Sequence, residues 1–251
     1  MAPFQGAYTG SNPVGDTPQS RSELPAATFR TKGCTRHGHP EVTLQFTKEP
    51  PVLGIERPLL QFFEGSVAKG VKFEPGQLVQ LGWATLKLAA RSDGTLGVLE
   101  RTMDGLGNFV ESVDSSLMQV WVQREIAGSV GLAEKVLFPR HEQVATVCKR
   151  LTKADIVVMA RRETTEPGDS GWFIGCTDQD HDHEDGGNLE PAQLYGVCCR
   201  FPPLMQFLAL PPRSEVMVLG PGRVRAQVRY DGKLVEPKAG SYLDQFNSLK
   251  D

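Results

Sequence analysis

The segment PGDSGW, Pro167 to Trp172, has the residue types and order that most closely match a catalytic motif in this chain. Trypsin-like serine proteases carry a similar GDSGG segment, whose glycines allow a tight turn. That turn brings a serine oxygen and backbone N–H groups to the substrate carbonyl. The segment therefore admits a trypsin-like serine hydrolase with Ser170 as its nucleophile.

Other features of the sequence argue against a protease. The chain order of a triad is available, but the candidate bases lie in the Gly/Pro-rich string TRHGHP rather than in an Ala-Ala-His-Cys-like context. An apparent helix over residues 190–200 follows Ser170, where a double β-barrel needs strands. The candidate triad partners are His37, His39, Asp93 and Asp104.

The other interpretation of PGDSGW is structural. Asp169 would accept hydrogen bonds from backbone N–H groups, Ser170 would lie in a turn with no histidine in reach, and Trp172 would enter the core. This interpretation predicts no catalytic residue in the chain and a protein that is not an enzyme.

The segment TDQDHDHEDGGN, residues 177–188, carries a second set of chemical groups. It only half meets the calcium-loop pattern D-x-D-x-D-G, because no glycine follows Asp182 directly and no glutamate occupies the twelfth position. His181 and His183 could share a transition metal, but Cys176 is the only thiol nearby in sequence. The segment therefore predicts a solvated acidic loop, with no metal and no cofactor.

The charge around this loop points to a partner. Between Arg162 and Arg200 the sequence has no Lys or Arg, although it has many acids. A locally negative surface steers a basic partner and fixes its orientation, although a merely solubilising loop is the alternative. The predicted partner-binding residues are Asp178, Asp180, Asp182, Glu184 and Asp185.

Composition restricts the function classes. With Lys+Arg 27, Asp+Glu 30 and a net charge of -3, the chain lacks the clearly basic balance of a nucleic-acid binder. No apolar run is long enough to cross a membrane, and MAPFQGAYTG is unlike a secretory signal. The odd count of cysteines, 5, favours reduced thiols in the cytoplasm.

The elements of the first block, about 29–139, follow from local patterns. Residues 41–46 alternate as a strand, and residues 56–70 have apolar residues at helical spacing. Residues 78–101 predict two strands joined around Ser92 to Gly94. A helix is expected from about Asp114.

The second block predicts more strands than helices. QVATVCKRL and DIVVMARRE suggest a strand pair that turns at residues 152–154, and SGWFIGC predicts a third strand. A helix is expected from about Glu190, with Pro191 in its first turn. EVMVLG and RVRAQVRY are further strands. Neither block alternates strands and helices as a parallel sheet would, so the fold class is α+β, with two domains of antiparallel sheets, each packed with one or two helices.

The second block also resembles a known family, the bacterial immunity protein 33 domain. That family has a Lys-Arg strand, an Arg-x-Glu strand end, an (A/G)DSGW turn, an acidic loop and a late glycine turn. Lys149-Arg150, Arg161-Arg162-Glu163 and Gly168 to Trp172 fit this order, and residues 178–188 fit in acidity. Gly220-Pro221-Gly222 replaces the usual late turn. Within the motif, the resemblance singles out Arg162, Glu163, Gly168, Asp169, Ser170, Gly171 and Trp172.

The resemblance implies domains and a function. It divides the chain into an N-terminal tail (1–27), an α+β domain of no recognised family (28–139), an immunity protein 33-like domain (140–240) and a C-terminal tail (241–251). It implies a cytoplasmic immunity protein that binds and neutralises the toxin domain of a polymorphic-toxin or type VI secretion effector. A different binding or scaffold role is the alternative.

Overall fold

The computed structural model describes residues 26–151, 156–178, 180–219 and 225–249. Two sheets and four α-helices make up this part of the chain, and the predicted α+β class with two sheets is confirmed. No helix within these ranges is both long and apolar enough to span a bilayer. The predicted N-terminal tail up to residue 25, the turn at 152–154 and the late glycine turn at 220–222 lie outside the described residues.

The first sheet has six strands in the order β1-β2-β5-β4-β3, with β6 also paired to β5. The strands are β1 (Ala27–Arg30), β2 (Val42–Phe46), β3 (Leu78–Leu81), β4 (Ala84–Ala90), β5 (Leu96–Arg101) and β6 (Phe109–Val110). The β2–β5 pair is parallel and the others are antiparallel. Residues 78–101 thus form three strands rather than two, because Gly82, at φ 56°, reverses the chain between β3 and β4.

Helix α1 (Arg57–Ala68) packs on this sheet, close to the predicted residues 56–70. Pro58 stands in its first turn, where the missing N–H costs nothing. Leu59, Phe63 and Val67 are buried along one face, as spacing by four residues requires. They share a core with the inward side chains of β2, β4 and β5.

Helix α2 (Asp114–Ser129) belongs to both cores. Leu117 near its beginning packs in the first core, and Ile126 and Ala127 near its end pack in the second. Trp83, next to Gly82, is also fully buried in the second core. The proposed boundary at residue 139 stays a prediction, since α2 and Trp83 contribute to the second core from before it.

The second sheet has seven strands in the order β10-β7-β9-β8-β11-β12-β13. They are β7 (Val144–Cys148), β8 (Ile156–Arg161), β9 (Asp169–Cys176), β10 (Leu189–Gln193), β11 (Ser214–Leu219), β12 (Arg225–Tyr230) and β13 (Lys233–Val235). Helices α3 (Leu194–Arg200) and α4 (Tyr242–Ser248) accompany it.

Two local predictions in this half are wrong, and one region has a helix that was not predicted. β7 and β8 do not pair as a hairpin, because β9 lies between them, parallel to β7 and antiparallel to β8. The expected helix from Glu190 begins only at Leu194, because residues 189–193 pair with β7 as an edge strand, a place that tolerates Pro191. The expected C-terminal tail contains α4, which is held by the buried side chain of Leu243.

Candidate functional site

The GDSGW segment places Ser170 inside the protein. The side chain of Ser170 is 2% exposed, and it lies on β9 rather than in the preceding turn. Its hydroxyl donates to the carbonyl of Val144 at 2.8 Å and accepts from the N–H of Trp172 at 3.2 Å. Both partners are backbone groups, so this hydroxyl joins β9 to β7 and forms no hydrogen bond with a described side chain.

Gly171 allows the chain to bulge after Ser170. Its φ is +76°, and a Cβ atom there would lie 2.4 Å from the carbonyl oxygen of Arg162. The pairing of β9 with β7 shifts register at this point, between Val144 and Thr146. Only glycine tolerates both the positive φ and the close approach of the Arg162 carbonyl without moving the backbone. This explains the second glycine of the motif.

A buried arginine next to the motif, Arg161, holds several backbone segments together. Arg161, at the end of β8, donates to the carbonyls of Leu137 and Leu210 at 2.6 Å and to those of Ser170 and Leu208 at 3.2 Å. Burial lowers the pKa of its guanidinium to about 10, so it stays charged at neutral pH. The arginine therefore connects β9 to two loops by charge-assisted hydrogen bonds.

Trp172 completes this junction. Its indole is 1% exposed, as the sequence predicted, and its Nε1 donates to the carbonyl of Leu208 at 3.1 Å. The Arg161 guanidinium stands 5.5 Å from the centre of the indole. Trp172 and Arg161 thus hold the same loop to the sheet.

The other motif residues lie toward solvent and serve the turn. Asp169 accepts from the N–H of Gly171 at 2.8 Å and pairs with the exposed Arg162. Gly168 accepts from the N–H of Val144 at 2.8 Å, and Glu163 is exposed near Arg213. These contacts support the predicted structural role of the motif.

The candidate triad partners lie elsewhere. His39 is buried against the first core, where its ring contacts the backbone of Phe73. His37 ends a short 3-10 helix beside the first sheet, and Asp93 pairs with Arg30. Asp104 accepts from its own turn at Leu106. The structure does not bring these side chains to Ser170, which lies in the second sheet.

The predicted partner-binding acids all lie on the surface. Asp178, Asp180, Asp182, Glu184 and Asp185 are exposed, and three of their carboxylates close local turns. Asp178 accepts from the N–H of Asp180 at 3.0 Å, and Asp182 and Asp185 each accept from the N–H two residues later at 2.8 Å. The N–H of Asp180 and the nearby Arg150 hold the pKa of Asp178 below its usual range. We call residues 177–188 the acidic loop.

Two basic side chains contact the acidic loop, although the sequence has no Lys or Arg between Arg162 and Arg200. Arg150 donates to Asp178 at 2.9 Å, and the Lys149 ammonium donates to the carbonyl of Gly187 at 2.6 Å. Both follow the end of β7, which the loop passes on its way from β9 to β10. The acidic surface is therefore bordered by two basic side chains, Arg150 and Lys149. Counting charges along the sequence could not reveal these two neighbours.

The inner side of the acidic loop holds a different group. Sulfur and nitrogen atoms of four side chains lie within 4.8 Å of one another: Cys148, Cys176, His181 and His183. The two histidines and Cys176 were visible in the sequence, but Cys148 was missed because it lies 28 residues before Cys176. Strand pairing alone brings these two cysteines together.

A buried histidine packs against the second core. His141 is 2% exposed, and its ring meets the Trp83 indole edge-on with centroids 4.2 Å apart. Tyr195 packs on its other side at 5.6 Å. Neither ring nitrogen has a hydrogen-bond partner among the described residues. Burial, assisted by the nearby Arg101, lowers the pKa of His141 to about 4.

Most of the second sheet lies in a part of the chain that matches a known family model. Residues 122–227 match the family model of the Imm33-like domain. The predicted resemblance to the immunity protein 33 family is therefore confirmed for this part of the chain. The match begins inside α2 and includes the helix end that packs in the second core, and the boundary at residue 140 stays a prediction.

The first sheet and α1 lie outside this family match. Neither the curated proteins nor the solved structures compared with this chain gave a significant match.

Proposed function

We propose that this protein is an immunity protein that binds and neutralises the toxin domain of a cognate secreted bacterial effector, of a polymorphic-toxin or type VI secretion system. It would act in the cytoplasm by direct complex formation and not by an enzymatic reaction. The match of residues 122–227 to the Imm33-like domain carries this proposal. The buried, backbone-bonded Ser170 supports it, because its hydroxyl is not presented to a substrate.

The acidic loop is the proposed contact surface. Five exposed carboxylates lie within eight consecutive residues of this loop, and short turns fix their positions. Preformed charge steers a basic partner at little entropic cost on binding. A toxin domain with a basic cleft, such as one that handles nucleotides or nucleic acid, has the complementary chemistry.

The identity of the partner is tested first. The genes that neighbour this one are searched for an effector with a C-terminal toxin domain, and that domain is coexpressed with the chain. We expect the two to copurify as a complex and the chain to protect growing cells. A toxin that stays active and separates from the chain on gel filtration would contradict the proposal.

The acidic loop is tested by charge neutralisation. Replacing its acids with Asn or Gln removes five charges but keeps the side-chain carbonyls that close the turns. A matched control removes five exposed acids from other surfaces: Glu49, Glu74, Glu134, Glu142 and Glu215. We expect the loop variant to associate with the toxin at least about tenfold more slowly at low salt, and the control to lose much less.

Salt dependence gives an independent measure. Raising the ionic strength from about 50 to about 500 mM shortens the Debye length from about 14 Å to about 4 Å. Wild-type association should slow strongly, and the loop variant should be nearly insensitive. If association ignores both salt and the neutralised loop, the contact surface lies elsewhere, and residues 29–139 become the first place to search.

A further inference from the structure

Topology brings two cysteines under the acidic loop. β7 and β9 are parallel neighbours, so their carboxyl ends meet at one edge of the second sheet. Cys148 ends β7 and Cys176 ends β9. The acidic loop leaves β9 at that edge, passes the end of β7 and enters β10, whose Leu189 pairs with Cys148. The loop therefore covers both thiols.

The loop contributes two imidazoles to the same point. Its residues alternate, so that His181 and His183 turn inward while Asp180, Asp182 and Glu184 stay exposed. The two imidazole rings stand edge to face with centroids 4.8 Å apart, and Phe173 packs against His183 at 5.4 Å. His181 is 6% exposed, and its Nε2 has no hydrogen-bond partner among the described residues.

The distances fit a tetrahedral cation. The Sγ atoms of Cys148 and Cys176 are 3.6 Å apart, and Cys176 Sγ is 3.6 Å from His183 Nε2. Zn–S bonds of about 2.3 Å and Zn–N bonds of about 2.0 Å give tetrahedral edges of about 3.8 Å between sulfurs and about 3.5 Å between sulfur and nitrogen. All four ligand atoms lie within 4.8 Å of one another, so the widest separation needs to close by about 1.5 Å at most.

We propose that Cys148, Cys176, His181 and His183 bind a structural Zn²⁺ ion. Two sulfurs and two imidazole nitrogens are a typical tetrahedral zinc set, and four protein ligands leave no open position for a reacting molecule. Binding releases the two thiol protons, and the two thiolates balance the charge of the ion. The backbone N–H of Arg150 donates to Cys148 Sγ at 3.3 Å, the kind of outer contact that orients a metal-bound thiolate. The ion would attach the acidic loop to the ends of β7 and β9.

Metal binding is measured on the full chain, purified with a phosphine reductant and freed of metal by a chelator. We expect one Zn²⁺ per chain, with a dissociation constant below about 0.1 µM in chelator competition. Co²⁺ in place of Zn²⁺ should give the thiolate charge-transfer bands and the intense visible bands of a tetrahedral sulfur–nitrogen site. Zinc should also raise the melting temperature of the wild-type chain.

Variants assign the ligands. Cys176→Ala and His183→Gln should each weaken zinc binding by at least about 100-fold. His183 lies at the partly exposed side of the site, so His183→Gln should fold even if Cys176→Ala does not. The control, Cys199→Ala with His37→Gln, removes one thiol and one imidazole outside the cluster and should bind zinc like the wild type.

Three results would overturn the proposal. The first is a reduced wild-type chain that takes up neither Zn²⁺ nor Co²⁺ at micromolar concentration. The second is metal uptake that is equal in the wild type and in a folded His183→Gln variant. The third is peptide mapping that finds Cys148 and Cys176 joined as a disulfide that millimolar reduced glutathione does not open. None of these results bears on toxin binding, which is tested separately.

Discussion

His141 should make the stability of this protein fall between pH 6.5 and pH 4. Its imidazole packs against Trp83 of the second core and against Tyr195, and no described residue offers its nitrogens a hydrogen bond. A charge on this ring would be buried without a partner and close to the Arg101 guanidinium. The folded protein therefore keeps His141 neutral to lower pH than the unfolded chain does.

The magnitude follows from the two pKa values. Burial lowers the pKa of His141 in the folded state to about 4, against an ordinary value of 6.5. At 1.36 kcal/mol per pH unit, the difference is worth about 3 kcal/mol. Because the folded pKa is the lower one, this stability is fully present above pH 6.5 and fully lost below pH 4. Between pH 7 and pH 5 the expected loss is about 2 kcal/mol.

The assay compares the wild type with His141→Phe, a variant that keeps an aromatic ring but cannot titrate. Urea unfolding is followed by tryptophan fluorescence from pH 7 to pH 4.5, with a chelator present so that metal binding does not contribute. Carboxylates with lowered pKa values act mainly below this range. Glu41 is an example: burial opposes its ionisation, but hydrogen bonds from Thr31, Thr35 and Cys34 lower its pKa to about 2. The wild-type curve minus the variant curve isolates His141.

Two results would refute this reasoning. One is a free energy of unfolding that depends on pH in the same way in the wild type and in His141→Phe. The other is an NMR titration in which the His141 ring protons shift with a midpoint near 6.5. Either result would mean that the surroundings of His141 admit water or open locally.

Three further predictions concern the GDSGW junction, each measured by chemical denaturation. Arg161→Met should destabilise the protein by about 3–5 kcal/mol, because four carbonyls lose a charged donor. The control, Arg162→Met at the exposed neighbouring position, should cost under about 1 kcal/mol. Equal losses of stability in the two variants would contradict the assigned contacts. Gly171→Ala should cost more than about 2 kcal/mol, whereas Gly168→Ala, with no atom within 4 Å of the Cβ atom that alanine adds, should be nearly neutral. Trp172→Ala should cost about 3–5 kcal/mol, and an unchanged midpoint would show that the indole is not core.

Local periodicity predicted the elements whose packing is local. Leu59, Phe63 and Val67 recur at helical spacing and form the buried face of α1. Trp172 falls on the inward side of its strand and is buried. In both cases the residues that form the sequence pattern are the same residues that are buried in the fold. The pattern is therefore enough to predict the element.

Long-range pairing could not be predicted in this way. QVATVCKRL and DIVVMARRE look like a hairpin because they are adjacent strands, but β9 comes between them. Residues 189–193 look like the start of a helix because Pro191 suits a first turn, yet an edge strand tolerates proline equally well. The local sequence pattern is compatible with both alternatives in each case. Only the pairing of strands in the folded protein decides between them.

The same limit applies to the candidate site. The acids of the loop are exposed, as their composition predicted, but Arg150 and Lys149 reach the loop from β7. Cys148 reaches it by the same route. All three became neighbours of the loop through the parallel pairing of β7 with β9, which no spacing in the sequence encodes.

The buried part of the motif and the proposed contact surface have different physical roles. Arg161, Ser170, Gly171 and Trp172 make backbone contacts inside the region that matches the Imm33-like model, and none of them is exposed enough to distinguish one partner from another. The acidic loop alternates inward imidazoles with outward carboxylates, so its inner face can be fixed while its outer face varies. If the proposed function holds, we infer that recognition of a particular toxin depends on the outer carboxylates of this loop, and that exchanging them should alter specificity without unfolding the domain.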